Sequence, residues 1–350
     1  MRVIGRCFTT ALVMGCGLAL AQASAADDAT PMRFQIPVTV SSEASAGLNM
    51  IYSFMQQGRD KPPIPQTPEE WDQQNARREA FLVPFVQKMI QPLQVSVRED
   101  KLGRVPVLRV TPYGYTKGHR ILIFTHGGGY VVGSARSGLV VPSLVADATG
   151  CEVISIDYTL APHGTWKTVP DQVLSVYKAV LAEGYKAKSI GMFGDSAGGG
   201  LAAASVLKMR DQGIPLPGAL YLLAPWADLT NKGDTFTTLA AADPTLDLKT
   251  LAADAAAYAA PADQTNPYVS PVYGDFSKPF PPTLIQGGTR EVLVSANIRL
   301  YQAIRGGGHE AVLDLYEGMP HVFQGLVPNA PETKTSIARA AKFFQHHLAD

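Results

Sequence analysis

The chain has 350 residues, 46% of them hydrophobic and 17% charged, enough apolar side chain for one large core or two modest domains and too much for a disordered chain. Thirty Lys and Arg balance thirty Asp and Glu, so no global basic field draws nucleic acid or anionic lipid, and a small-molecule partner is favoured. At the N-terminus MRVIGR carries two arginines, CFTTALVMGCGLALA is apolar, and Ala23-Ser24-Ala25 is a small-x-small cleavage signal. Residues 1–25 therefore read as a secretory signal peptide, and the mature protein as periplasmic or secreted. The apolar stretch falls short of the roughly 20 residues that span hydrocarbon, so a stable membrane anchor is not expected. A lipoprotein site at Cys16 fits poorly, because Met14 precedes Gly15. Loss of residues 1–25 removes Cys7 and Cys16 and leaves Cys151 as a lone, packing thiol with no disulfide partner.

Residues 26–93 read as an N-terminal helical cap. Thr67-Pro68-Glu69-Glu70 combines a capping Thr, a Pro at the first helical position and a Glu at the third, opening a helix that Pro84 is expected to end or kink. Residues 94–350 carry a different pattern. Short strands are expected at 94–98 and 105–110, around a turn containing Gly103, and the apolar run at 121–124 suits a sheet covered on both faces. Strands at 153–156, 190–193, 219–223, 283–286 and 312–316 then alternate with helices at 171–182, 197–209, 292–304 and 334–347. That alternation predicts an α/β fold with a mostly parallel sheet and helices on both faces, and ligands at the carboxyl ends of its strands. Residues 230–280, with an Ala-rich helix at 251–260, interrupt the alternation as an insertion expected to wall the site; Tyr130, Tyr268 and Tyr273 are candidate wall residues.

The chemistry centres on FGDSAGGG at 193–200. Gly194 and Gly198 flank Ser196 at the spacing G-x-S-x-G, after a strand-like run and before a helix-like one, which is the setting of a nucleophile elbow. By itself the motif is also compatible with a plain glycine-rich turn; a phosphate-binding loop is excluded because no Gly-Lys-Ser/Thr follows. THGGGYVVG places Gly127, Gly128 and Gly129 just after another strand. The N–H groups of Gly127 and Gly128, with that of Ala197, are expected to form an oxyanion hole, and His126 to brace the loop.

Seven histidines compete for the base. His119 and His309 fall before strands, His346 and His347 on the last helix, and His163 precedes the serine. His321, in GMPHVF after the last strand, stands where the chain order serine, acid, histidine puts the base. Glu291 is the carboxylate expected in the loop after the strand at 283–286, with Asp314 and Glu317 as competitors.

HGGGY, DYTLAP, GDSAGG, SPVYGDF, PPTLIQGG and GMPHVF, taken in order over about residues 95–348, resemble the hormone-sensitive-lipase-like carboxylesterases of the α/β-hydrolase superfamily. The resemblance implies an eight-stranded hydrolase sheet, a helical cap, small-molecule esters of short acyl chains as substrates and no cofactor. Two departures stand out. Thr159 and His163 replace the Arg and Glu of the usual DYRLAPE, and Glu291-Val292-Leu293 replaces Asp-Pro-Leu at the acid position. The reading is a serine carboxylesterase with Ser196, His321 and Glu291 as its triad. A lactonase or amidase with the same triad, or a hydrolase-like binding protein, is the alternative. Oligomeric state, a homodimer among the options, is left open.

Overall fold

A computed structural model describes residues 36–57 and 63–350; the expected signal peptide at 1–25 lies outside these residues. Two helices precede the sheet, α1 (Ser42–Gln57) and α2 (Pro68–Ile90). Thr67 caps α2 as its sequence predicts: Thr67 Oγ1 accepts from the Glu70 N–H at 3.3 Å and the Glu70 carboxylate accepts from the Thr67 N–H at 3.3 Å. Pro84 does not end the helix, which runs on to Ile90. Pro84 and Ala80, the residue whose carbonyl loses the proline's missing N–H, are both exposed, so the lost bond falls on the solvent side of the helix. Beyond the proline, Val86, Met89 and Ile90 pack on the core and hold the last turns.

The remaining elements run in the order β1 (Ser96–Leu102), β2 (Val105–Thr111), β3 (Ile121–Thr125), α3 (Val140–Thr149), β4 (Glu152–Ile156), α4 (Val169–Ala182), β5 (Ile190–Asp195), α5 (Ala197–Asp211), β6 (Ala219–Leu223), α6 (Thr235–Thr238), α7 (Leu248–Tyr258), β7 (Thr283–Arg290), α8 (Val294–Gly306), β8 (Ala311–Pro320), α9 (Phe323–Leu326) and α10 (Pro331–His347). The eight strands form one sheet in the order β1-β2-β4-β3-β5-β6-β7-β8. β2 is antiparallel to both neighbours, and every pair from β4 through β8 is parallel. Gly103 and Arg104, with φ of 53° and 70°, make the tight turn from β1 to β2. β1 lies at the sheet edge and carries Arg98, Glu99, Asp100 and Lys101, charges that discourage pairing with another chain.

β3, β4 and β6 are buried along their whole length, and their alternate residues enter separate cores. Ile121 and Ile123 join the core under α4, α5 and α8, while Leu122 and Phe124 join the one under α3 and α10. α1 and α3 are helices that the sequence reading did not anticipate. In α3, Val140, Val141, Pro142, Val145 and Ala146 are all buried, so it lacks the polar face that makes a helical period visible. α1 rests on a third, smaller cluster in which Ala44, Leu48 and Tyr52 meet Met319, Phe323 and Val327 on either side of residue 321. Ser41 ties the start of α1 to α10, donating from its N–H and hydroxyl to Glu332 at 2.8 and 2.7 Å.

Gly191 in β5 leaves the space that Phe344 of α10 fills: a Cβ there would lie 2.6 Å from Leu122 Cδ2 and 2.7 Å from Phe344 Cε1. Gly191→Ala is therefore expected to destabilise the fold by about 1–3 kcal/mol through overpacking, read as a lowered thermal midpoint. A midpoint equal to the parent's would contradict this packing.

Candidate active site

Ser196 is the single residue between β5 and α5, and its backbone sits at φ 53°, ψ −124°. L-residues with side chains avoid that region, and one held there points its side chain out of the turn. Neighbouring backbone keeps it in place. The Ser196 N–H donates to the Leu223 carbonyl at 2.8 Å, and its own carbonyl accepts from the Trp226 N–H at 2.8 Å and the Gly200 N–H at 3.1 Å. The two flanking glycines are required by contact. A Cβ on Gly194 would meet the Gly198 carbonyl at 2.5 Å, and one on Gly198 would meet the Thr125 carbonyl at 2.0 Å.

β7 and β8 run further than their apolar cores suggest, to Arg290 and Pro320, so Glu291 and His321 are the next residues after each strand. His321 Nε2 lies 2.8 Å from Ser196 Oγ, and Nδ1 lies 2.5 Å from Glu291 Oε2. The three side chains form one unbroken hydrogen-bonded chain at the carboxyl edge of the sheet. Glu291 is fully buried, and its second oxygen accepts from the Gly288 N–H at 3.0 Å. The β7–β8 pairing has an irregularity between Gly288 and Arg290, just before Glu291, of the kind that re-aims a side chain at a strand end. The competing acids are occupied elsewhere. Asp314 pairs with Arg339 and accepts from Gln286 and Tyr316, and Glu317 accepts from Thr39 on the surface.

The glycine turn after β3 departs from expectation at one position. The Gly127 N–H donates to Asp195 Oδ1 at 3.0 Å, which leaves it no proton for a substrate oxygen and removes it from the set of oxyanion donors. Among the described residues, the N–H groups of Gly128, Gly129 and Ala197 have no acceptor. Gly128 and Gly129 have φ of 116° and 62°, and a Cβ on Gly128 would lie 1.9 Å from the Val132 carbonyl, so the turn admits only glycine there. Ala197 opens α5, whose positive dipole end faces the same place. His126 braces this turn: its ring stacks on Tyr158 with centroids 4.3 Å apart, and Tyr158 donates to the His126 carbonyl at 2.8 Å. Burial holds its pKa below the usual histidine value.

Thr159 and His163, the departures from the family pattern, have their own partners. Gln172 accepts from the Thr159 N–H and donates to its hydroxyl, both at 2.9 Å, and His163 pairs with Asp72 of α2 at 3.0 Å. The insertion also reaches the site. Asp243 accepts from the Val292 N–H at 2.9 Å and from the N–H groups of Thr245 and Leu246 at 2.8 and 3.0 Å, fixing the backbone next to Glu291. Sequence reading missed Asp243, because Asp-Pro-Thr is an ordinary turn signal whose partner is remote. Tyr130 is buried beside the glycine turn, stacked on Tyr258. Tyr268 is not near: it bonds Asp211, the last residue of α5, roughly 20 Å of helix away from Ser196.

The electrostatics follow from burial among acids. Burial disfavours the His321 imidazolium, but the Glu291 hydrogen bond and the fields of Glu291, Asp243 and Asp195 outweigh it and raise the His321 pKa above 6.5. Asp195 is pushed up to about 6 by burial, against the pull of the Gly127 N–H and of His321.

Fold and site together define an α/β-hydrolase. A profile of the alpha/beta hydrolase fold matches residues 122–325. An acetyl-hydrolase of Streptomyces hygroscopicus is 34% identical over 226 residues, 65% of this chain and 75% of that protein. The crystal structure of an esterase E25 superposes with a TM-score of 0.81 at 30% identity, over 91% of this chain and 98% of the other. An esterase from the bacterial hormone-sensitive lipase family superposes with a TM-score of 0.78, also at 30% identity, over 87% and 99%. The chain belongs to the α/β-hydrolase family and, within it, to the hormone-sensitive-lipase-like carboxylesterases.

Because the raising influence on His321 comes chiefly from Glu291, its ring is expected to titrate above 6.5 in the parent and at a lower pH in Glu291→Gln, where burial acts with less opposition. NMR of ring-labelled histidine reads both midpoints. An unchanged midpoint in the variant would contradict the assignment.

Proposed function

We propose that this carboxylesterase hydrolyses small esters of short acyl chains through a covalent acyl-enzyme on Ser196. The observation that carries the reading is the continuous chain Ser196 Oγ, His321 Nε2, His321 Nδ1, Glu291 Oε2, with links of 2.8 and 2.5 Å. Ser196 Oγ attacks the ester carbonyl while His321 Nε2 takes its proton, and Glu291 holds the Nδ1–H and stabilises the imidazolium. The carbonyl oxygen becomes an oxyanion and accepts from the N–H groups of Gly128, Gly129 and Ala197. Collapse expels the alcohol, protonated by His321. Water then enters, His321 removes its proton, and attack on the acyl carbon releases the acid and restores Ser196.

The acid limb of the reaction has a definite sign. Only neutral His321 accepts the serine proton, and its pKa is raised, so turnover fails as pH falls through a value above 6.5. A short acyl group is supported by the acetyl-hydrolase that this chain resembles. Export is supported by the paired arginines, the apolar run and Ala23-Ser24-Ala25 at the start of the chain.

Ser196→Ala and His321→Ala are each expected to lower kcat on p-nitrophenyl butyrate by about 10⁴- to 10⁶-fold, and Glu291→Gln by up to about 10⁴-fold. In the parent, kcat/KM is expected to fall from acetyl and butyryl esters to long-chain ones. Near-parental turnover by Ser196→Ala would sink the mechanism, and an optimum at long chains would sink the substrate class.

A further inference from the structure

One face of α7 lies against the oxyanion turn and carries polar groups for which the fold supplies no partner. Asp254 is 7% exposed and makes no hydrogen bond or ion pair with a described residue; its Oδ1 is wholly enclosed and unpartnered. Its Oδ2 is turned to Gly129, where a Cβ would meet it at 2.4 Å. One helical turn on, at the i+4 position that shares the same face, the Tyr258 hydroxyl is likewise buried and unpartnered, while its ring stacks on Tyr130 at 3.8 Å. Buried polar groups in folded proteins are almost always satisfied, and a leucine at 254 would avoid the desolvation of a carboxyl. A carboxyl kept here is explained by a group that arrives with a ligand.

Gly129 connects this face to the chemistry, since among the described residues its N–H has no acceptor and it is one of the three donors proposed above for the oxyanion. We propose, resting on the esterase reading above, that Asp254 is a specificity-determining residue: it binds a hydroxyl or ammonium group carried by the ester a few bonds from the reacting carbonyl. Arg78 of α2 is the cation whose field reaches Asp254, but burial dominates and pushes its carboxyl up to about 8. The carboxyl therefore keeps its proton near neutrality and does not repel a neighbouring oxyanion. A substrate hydroxyl can then both donate to it and accept from it, and an ammonium can draw it into an ion pair.

The test compares kcat/KM on matched esters: ethyl butyrate, ethyl 3-hydroxybutyrate and ethyl 3-aminobutyrate for the acyl side, with 3-hydroxypropyl against propyl butyrate for the alcohol side. The parent is expected to prefer at least one donor-bearing member over its plain partner by about 10-fold or more. Asp254→Leu is expected to abolish that preference while keeping plain-ester turnover within about 3-fold of the parent. Asp254→Asn, nearly isosteric, is expected to retain a hydroxyl preference in part and to lose an ammonium preference. Which donor the parent favours distinguishes the two ligand groups. A parent with no preference, or variants that lose all esters equally, would overturn the proposal by showing Asp254 to be structural. Failure of the parent on every ester, plain ones included, would overturn the esterase reading and this proposal with it.

Discussion

Ser196 occupies a backbone conformation that costs about 1–3 kcal/mol for a residue with a side chain, and the neighbourhood is arranged so that nothing else fits. Leu223, the last residue of β6, and Trp226, just after it, bond its N–H and carbonyl at 2.8 Å each. Thr125, the last residue of β3, donates its hydroxyl to the Gly198 carbonyl at 2.7 Å. β3, β5, β6 and the first turn of α5 therefore meet at one point, and the two glycines of the motif are glycines because the backbones there touch. The parallel order of these strands brings the glycine turn of β3 beside the serine. A Cβ on Gly127 would lie 3.0 Å from the Ser196 Cβ. Sheet topology, oxyanion turn and nucleophile are thus aspects of the same close approach.

A second constraint is electrostatic. His321 is buried, a setting that by itself disfavours its protonated form. Three carboxylates, from Glu291, Asp243 and Asp195, act on it in the opposite sense. They come from the loop after β7, from the insertion and from the end of β5, so the charge environment of one imidazole draws on separated parts of the chain. Asp195 also spends a hydrogen bond on Gly127 and so couples the elbow to the oxyanion turn. α1 closes the arrangement from outside, with Leu48 and Tyr52 packed on Met319 and Phe323 around the histidine.

What was legible in the sequence shares a property: the information is local or ordered along the chain. The buried strands announce themselves as short apolar runs between turn signals. Ser196 stands in a local motif, and His321 and Glu291 follow from being the histidine after the last strand and the carboxylate after β7. What was not legible depends on a remote partner. HGGG offers three near-equivalent N–H groups, and only the three-dimensional position of the Asp195 carboxylate tells that Gly127 is taken and Gly129 is free. Asp243 looks like a turn residue until Val292 is beside it. Asp254 sits in LAADAAAYA, where a lone acid in an alanine-rich helix reads as a solvated face, yet that face is turned to the active-site turn. α3 was missed for the reverse reason: it is buried on most sides, so tertiary packing holds it without a clear local signal; of the two outcomes expected at Pro84, an end or a kink, the end does not occur.

The central claim, that Ser196 is the activated nucleophile of an acyl-transfer site, is tested most directly by locating a covalent adduct. The protein would be incubated with a fluorophosphonate, digested, and mapped by mass spectrometry. The account predicts one adduct per chain, on Ser196 within FGDSAGGG, formed readily above the His321 pKa and lost in His321→Ala. No adduct, or an adduct on another side chain, would contradict it.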